Sequence, residues 1–291
     1  MRRLTFIILA LATLLPSLAQ AYDILILQSR RDPAYEDVLK GLRAGHNASQ
    51  RVLVLSDYAE VDVVRIVRED RPRVILAVGD AALTATRNVR NTPVVAVMSL
   101  GINSHKRSHD NLTGVGMLAP PARYIAMFKA MKIRRVGVIC NPAKSGWYLR
   151  LARQAAEAAG IELVVREVSA PRESIERLST LAGKVDALWM LPDSTAVTRG
   201  TVEAYFRFGQ EQNIPVVSFA ASYLGLGAAA VLEIDLLAIG RQADAMVAEI
   251  LRGTRRESMS LDFPKGITLK TNSSVLKRLR IAINEDDSPL Q

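Results

Sequence analysis

The sequence predicts an α/β protein built as two open, doubly wound parallel-sheet lobes. Short continuous apolar runs recur along the chain, the pattern of strands buried on both faces of a parallel sheet. Amphipathic helical stretches separate them. The alternating series runs twice, with an irregular polar stretch between the two runs.

The first series opens at Ile24-Leu25-Ile26-Leu27 and continues through Val52-Leu53-Val54-Leu55, Val74-Ile75-Leu76-Ala77-Val78 and Val94-Val95-Ala96-Val97. Helices are expected between these strands at about Pro33 to Ala48, Tyr58 to Asp70 and Ala81 to Val89. The polar stretch Gly101 to Asn111 is expected to end the first lobe, and it argues against a single closed barrel of eight such units. The second series comprises Val136-Gly137-Val138-Ile139, Leu163-Val164-Val165, Ala187-Leu188-Trp189-Met190 and Val216-Val217. Leu149, Ala152, Ala156 and Ala159 mark one helix face at spacings of three and four, and Pro171 after Ser169 signals the start of the next helix. A final long helix, about Leu236 to Arg252, carries Leu236, Ile239, Ala243, Val247 and Ile250 on one stripe and is expected to return to the first lobe. The expected division is residues 22–119 with about 236–264 in the first lobe, and residues 120–235 with about 265–291 in the second.

The N-terminus narrows the function classes. Met1-Arg2-Arg3 precedes an apolar run from Leu4 to Leu18, and Ala19-Gln20-Ala21 follows as a small-x-small exit, the layout of a cleavable secretory leader with Tyr22 as the first mature residue. The run is interrupted by Pro16 and is shorter than the roughly 20 residues that span a bilayer. No cysteine follows it, so a lipid-anchored route is not expected. The formal net charge is +9, and Arg2 and Arg3 contribute two of those charges. Export and the lack of aromatic residues among the Lys and Arg argue against nucleic acid. Cys140 is the single cysteine; it excludes an intrachain disulfide and, within an apolar run, reads as a core thiol.

Open α/β sheets bind ligands beyond the carboxyl ends of their strands. In the first lobe those positions are Gln28 and Ser29, then Gly79 and Asp80, then Ser99. In the second lobe they are Asn141 to Trp147, including Ser145, then Asp193-Ser194-Thr195, then Phe219 to Ser222. Helix starts there offer backbone N–H groups to an anion. Each Ser, Asp or Thr also suits a plain helix cap, so the set carries more weight than any member.

Sharper motifs fall away. Gly114-Val115-Gly116-Met117-Leu118-Ala119 fits a dinucleotide fingerprint, but Pro120-Pro121 follows where a helix should begin, and no strand is expected to lead into it. Gly225 to Ala230 fits too, but precedes another apolar strand. His105 and His109 stand four apart in a polar connection with repelling charge between them, which makes a poor metal site. An exported enzyme would need a base beside a nucleophile; the remaining histidine, His46, is expected opposite the cleft. Neither cofactor nor metal is expected.

Over essentially the whole mature chain the sequence resembles the ABC-transporter substrate-binding proteins of the tryptophan and tyrosine type, which are two-lobed periplasmic binding proteins of the type I architecture. The resemblance is carried by Ile133 to Pro142, whose strand ends in Asn141-Pro142, and by Gly183-Lys184-Val185-Asp186-Ala187, Asp193 to Val197, Asn213-Ile214-Pro215-Val216, and Ile239-Gly240-Arg241-Gln242-Ala243 with Ile250-Leu251-Arg252-Gly253. Arg71-Pro72-Arg73-Val74-Ile75 and Asn111-Leu112-Thr113-Gly114-Val115 carry it in the first half. The resemblance implies a monomeric, non-enzymatic periplasmic receptor that closes on a small solute, such as an aromatic amino acid, and delivers it to an ABC permease and its ATPase. It also implies that Asp193, Ser194 and Thr195 line the cleft. The alternative partner is the periplasmic domain of a sensor kinase. One departure is informative: where the family commonly has Ser-Glu-x-Asn-Ser after Asn-Pro, this chain has Ala143-Lys144-Ser145-Gly146-Trp147. The lost Asn-Ser pair removes donors for an amino-acid carboxylate, and Trp147 can stack on a flat ligand or pack against the hinge.

Overall fold

A computed structural model describes residues 22–43, 45, 48–106, 108–253 and 259–283. The leader expected at residues 1–21, the placement of His46, and Arg107 lie outside the described residues.

The chain begins with β1 (Ile24–Gln28), α1 (Pro33–Arg43), β2 (Gln50–Val54), a 3₁₀ turn (Leu55–Asp57), α2 (Val63–Asp70), β3 (Val74–Val78), α3 (Asp80–Ala85), β4 (Val94–Val97), α4 (Ile102–Lys106) and β5 (Leu112–Val115). Every residue of β1, β3, β4 and β5 is buried, as the apolar runs require of central strands. The second helix starts five residues later than its pattern suggests. The 3₁₀ turn uses Leu55 to Asp57, and the Asp62 carboxylate then caps the helix by accepting from the Arg65 N–H at 2.9 Å.

The second run holds α5 (Pro121–Ala130), β6 (Arg135–Cys140), α6 (Pro142–Ala159), β7 (Glu162–Glu167), α7 (Glu173–Ser179), β8 (Ala187–Trp189), α8 (Val202–Glu211), β9 (Val216–Ser218), a 3₁₀ segment (Ala221–Leu226) and β10 (Ala230–Ile234). It ends with α9 (Leu236–Leu251), β11 (Leu261–Asp262), β12 (Ile267–Thr271) and α10 (Ser273–Leu279). Two six-stranded sheets result, ordered β11-β5-β4-β3-β1-β2 and β12-β10-β9-β8-β6-β7. The protein is thus the expected pair of doubly wound α/β lobes. One strand departs from the parallel pattern: β12 pairs antiparallel with β10, Ile234 opposite Ile267. The reason is connectivity. The chain leaves the second sheet through β10 and re-enters it beside the same strand, travelling the other way.

The polar stretch Gly101 to Asn111 does not end the first lobe. It contains α4 and leads into β5, which extends the first sheet through the pairing of Val94 with Leu112. A strand therefore does enter the Gly-x-Gly pattern, contrary to the sequence expectation. A Cβ on Gly114 would meet the Ala96 carbonyl oxygen at 2.0 Å, so this glycine permits close approach of β4 and β5. The next helix, α5, covers the second sheet, packing Tyr124, Ile125 and Phe128 into a core with Val136, Val138 and Trp189.

Helix α9 joins the first core, where Ile239, Ala243, Met246 and Val247 pack with Val38, Leu39, Leu42 and Leu76. Its contact with α1 is backbone on backbone: a Cβ on Gly240 would meet the Val38 carbonyl oxygen at 2.0 Å. Cys140 is buried in the second core, and burial, reinforced by the charges of Asp193 and Glu167, pushes its thiol up to about 12. Among the described residues no helix is long and apolar enough to cross a membrane.

Candidate functional site

Three crossings join the lobes: β5 into α5, β10 into α9, and β11 into β12. They are laced together. The Gly116 N–H donates to the Asp262 carbonyl at 2.9 Å, and the Asp235 N–H donates to the Gly266 carbonyl at 3.0 Å. The buried Gln242 amide of α9 binds the third crossing twice, donating to the Phe263 carbonyl at 3.0 Å and accepting from the Lys265 N–H at 3.2 Å. Tyr148 of α6 donates its hydroxyl to the Ala119 carbonyl at 2.6 Å, tying the second lobe to the first crossing.

On the first lobe, the residues expected at strand ends make two separate hydrogen-bonded contacts. Ser29 accepts from the Ala82 N–H at 2.9 Å. The Asp80 carboxylate accepts from the Ser99 hydroxyl and, at 2.9 Å, from the Gly101 N–H. Gly79 sits at φ +93°, and a Cβ there would meet the Tyr35 hydroxyl at 2.3 Å, so the turn after β3 requires glycine. Gln28 is buried at the end of β1.

On the second lobe, Asp193 is the centre of a hydrogen-bonded group. It is 1% exposed, and both carboxylate oxygens are engaged. One accepts from the Asn141 N–H at 2.8 Å and the Ser145 hydroxyl at 2.7 Å. The other accepts from the Thr195 and Ala196 N–H groups at 2.9 and 3.0 Å. The Asn141 amide reaches Thr195 Oγ1 at 3.2 Å, and Lys144 donates to Ser194 Oγ at 2.7 Å. Asp193 therefore pins the β6–α6 and β8–α8 loops to each other. Phe219 packs edge-on against Tyr223, with centroids 5.2 Å apart, and Ser222 is exposed on the 3₁₀ segment.

Between the lobes lies a cavity of about 240 Å³. Four stretches wall it: Ser99 to Asn103, Gly116 to Leu118, Trp147 with Leu151, and Leu261 to Phe263. Of the residues expected from sequence, only Ser99 and Trp147 reach it. The others make the hydrogen bonds and turns described above or, like Gln28, Phe219 and Ser222, lie apart. Trp147 both lines the cavity and stacks on Phe263 of the third crossing, with centroids 6.3 Å apart and planes 26° from parallel. Of the two uses that the sequence left open for this ring, packing against the hinge is the one the structure contains. The missed residues are mostly apolar, with Asn103 and Asp262 among them, and lie around the start of α4, on α6 and on the crossings; the one available signal was the spacing of Trp147 and Leu151, which puts both on one helix face.

The histidine pair is spoken for by backbone. His109 sets its ring nitrogens at 2.6 Å from the Arg87 carbonyl and 3.0 Å from the His105 carbonyl, and His105 sets Nδ1 at 3.2 Å from the Gly101 carbonyl. Among the described residues no group of three or more His, Cys, Asp or Glu side chains is placed to hold a metal.

Two α/β lobes, three laced crossings and a cavity at the carboxyl ends of the strands define the type I periplasmic-binding-protein architecture. Within that class the chain belongs to the ABC transporter substrate binding protein family, whose model matches residues 26–288. The family consists of non-enzymatic binding proteins, usually extracellular or periplasmic. A tyrosine-binding protein of Clostridioides difficile (strain R20291) is 23% identical over 180 residues, 60% of this chain and 52% of the relative; the chain thus matches about half the length of that protein. Among solved structures, a ligand-free, open substrate-binding protein with adhesive properties from Clostridium difficile superposes with a TM-score of 0.69 at 18% identity, covering 92% of this chain and 97% of the other. A conserved domain protein from Vibrio cholerae gives 0.63 at 23% identity over 91% and 97% of the chains. An ABC domain in complex with L-Trp from Streptococcus pneumonia gives 0.63 at 17% identity over 90% and 96%. At these identities the structural likeness establishes the fold.

Proposed function

We propose that the protein is the exported solute receptor of an ABC importer, which closes its lobes on an aromatic amino acid or related compound and delivers it to a permease and its ATPase. The observation that carries this reading is the interlobe cavity, with Trp147 stacked on a hinge residue at its wall. The sequence of the leader supports export to the periplasm, and the names of the tyrosine-binding relative and the L-Trp complex support the solute class. The two moving bodies are residues 22–119 with 236–264, and residues 120–235 with the remainder. In the open form a solute touches one lobe fully; in the closed form it bridges both, so its binding energy favours closure, and closure is what the permease reads. The first-lobe contacts of Ser29, Asp80 and Ser99 and the second-lobe group around Asp193 hold the cleft loops in place for that contact. The protein works as a monomer.

A thermal-shift screen of the chain from Tyr22 onward, against amino acids, small carboxylates, nucleosides and sugars, tests the reading. A solute at 100 times its dissociation constant stabilises by about 2.7 kcal/mol, and that stabilisation is expected with an aromatic amino acid. A screen in which every solute leaves the transition unmoved overturns the proposal.

A further inference from the structure

The third crossing is held by the first lobe almost to its end. β11 pairs Leu261 with Gly114 and Asp262 with Val115 in the first sheet, and the Gly116 N–H donates to the Asp262 carbonyl. Beyond that point the buried side-chain amide of Gln242, on α9, takes over. It donates to the Phe263 carbonyl at 3.0 Å and accepts from the Lys265 N–H at 3.2 Å. Between those two residues lies Pro264, buried and without an N–H of its own. Gly266 runs so close to the first turn of α9 that a Cβ there would meet the Ala238 Cβ at 2.4 Å. β12, in the second sheet, begins at Ile267. The Gly266–Ile267 step is therefore left to absorb the bend of this crossing, and the Phe263 backbone belongs to the first lobe.

The Phe263 ring belongs to the other side. It packs against the second core and stacks on Trp147 of α6, with centroids 6.3 Å apart and planes 26° from parallel. Tyr148, next to Trp147, binds the first crossing at the Ala119 carbonyl from the second lobe. Each lobe thus grips one crossing, and the Trp147–Phe263 pair joins the two grips. We infer that Gln242 is a positioning residue for lobe motion: it fixes Phe263 to the first lobe and so makes the Trp147–Phe263 stack a latch between the two moving bodies. The inference rests on the lobes moving as the receptor reading has them, and it does not depend on which solute they take. An aromatic pair of this geometry shifts a ratio of populations by about two- to tenfold. The latch biases the interlobe angle before any solute arrives, and a solute that requires another angle binds against that bias.

The test is acrylamide quenching of Trp147 fluorescence in the folded chain from Tyr22 onward, without solute. Trp189, 1% exposed, is the second tryptophan, and Trp147→Phe supplies its background. Gln242→Met keeps the length of the side chain and removes both hydrogen bonds. It should move the stacked-to-unstacked ratio of Trp147 towards unstacked by about two- to tenfold, read as a higher quenching constant. Phe263→Leu removes the partner ring and should raise quenching by itself, and Gln242→Met should then add nothing to it. A native circular dichroism spectrum shows that each variant is folded; if Gln242→Met is not, Gln242→Glu takes its place, keeping the acceptor for Lys265 and losing the donor for Phe263. A Gln242 that only stabilised the fold would lower the urea midpoint and leave folded-state quenching at the parent's value, which overturns the inference. An equal rise with and without the Phe263 ring overturns it too. Neither result touches the receptor reading, and a solute screen that moves nothing leaves this measurement intact.

Discussion

Replacing Asp193 separates a residue that holds the cleft together from one that contacts the solute. The carboxylate receives four hydrogen bonds, three from backbone N–H groups and one from the Ser145 hydroxyl, and is 1% exposed. In Asp193→Ala the three N–H groups lose their acceptor, at about 1 kcal/mol or more each, while the hydroxyl can turn elsewhere. Removing a buried charge recovers part of its desolvation, so the net loss of stability is about 2–4 kcal/mol. Asp193→Asn keeps one oxygen for Thr195 and Ala196 and presents an NH₂ group to the Asn141 N–H, donor against donor. Its expected cost is about 1–3 kcal/mol. Urea unfolding at neutral pH without solute reads both values. If Asp193→Asn unfolds within about 0.5 kcal/mol of the parent and yet abolishes solute binding, the carboxylate serves the solute directly and the reasoning fails.

Two further outcomes follow from the packing and the pKa of particular groups. Gly240→Ala drives a methyl into the Val38 carbonyl at the α1–α9 contact and should lower stability by about 1–3 kcal/mol in urea unfolding, whereas Gly225→Ala, with nothing within 4 Å of the new Cβ, should change it by less than about 0.5 kcal/mol. The Tyr22 phenol is pushed up to about 12 by burial and by its hydrogen bond to Asp70, at 2.6 Å. Its folded pKa thus exceeds the unfolded value of 10.0, the folded state binds more protons between these values, and the stability it contributes below pH 10 is lost as pH rises towards 12. Alkaline unfolding should therefore be steeper over that window in the parent than in Tyr22→Phe.

How much of this was legible in the sequence depended on how each residue is buried. β1, β3 and β4 are covered on both faces and, apart from Gln28 at the end of β1, carry no polar side chain, so their runs announce them. β5, Leu112 to Val115, is interrupted by Thr113 and Gly114, because one hydroxyl binds the Ser260 carbonyl and one position needs no side chain at all. β12 is an edge strand whose burial alternates, and its polarity hid it. The loops around Asp193 were readable as a set, but its internal role depends on partners 48 and 52 positions away. The cavity was least legible. Its walls come from four separated stretches, mostly of apolar residues that look like core until the crossings bring them together.

The departure at Gly146-Trp147 gains its meaning from those crossings. In the family pattern this place carries donors, and here it carries a ring braced against Phe263, two residues after β11 enters the first sheet at Leu261. Leu151, one turn further along α6, continues the same face onto the cavity. The second lobe therefore offers the cavity hydrocarbon at Trp147 and Leu151. The stack on Phe263 ties that wall to the hinge: Trp147 meets the side chain that braces the third crossing, whose backbone Gln242 holds from the first lobe. The cavity wall and the hinge are thereby coupled through a single aromatic pair.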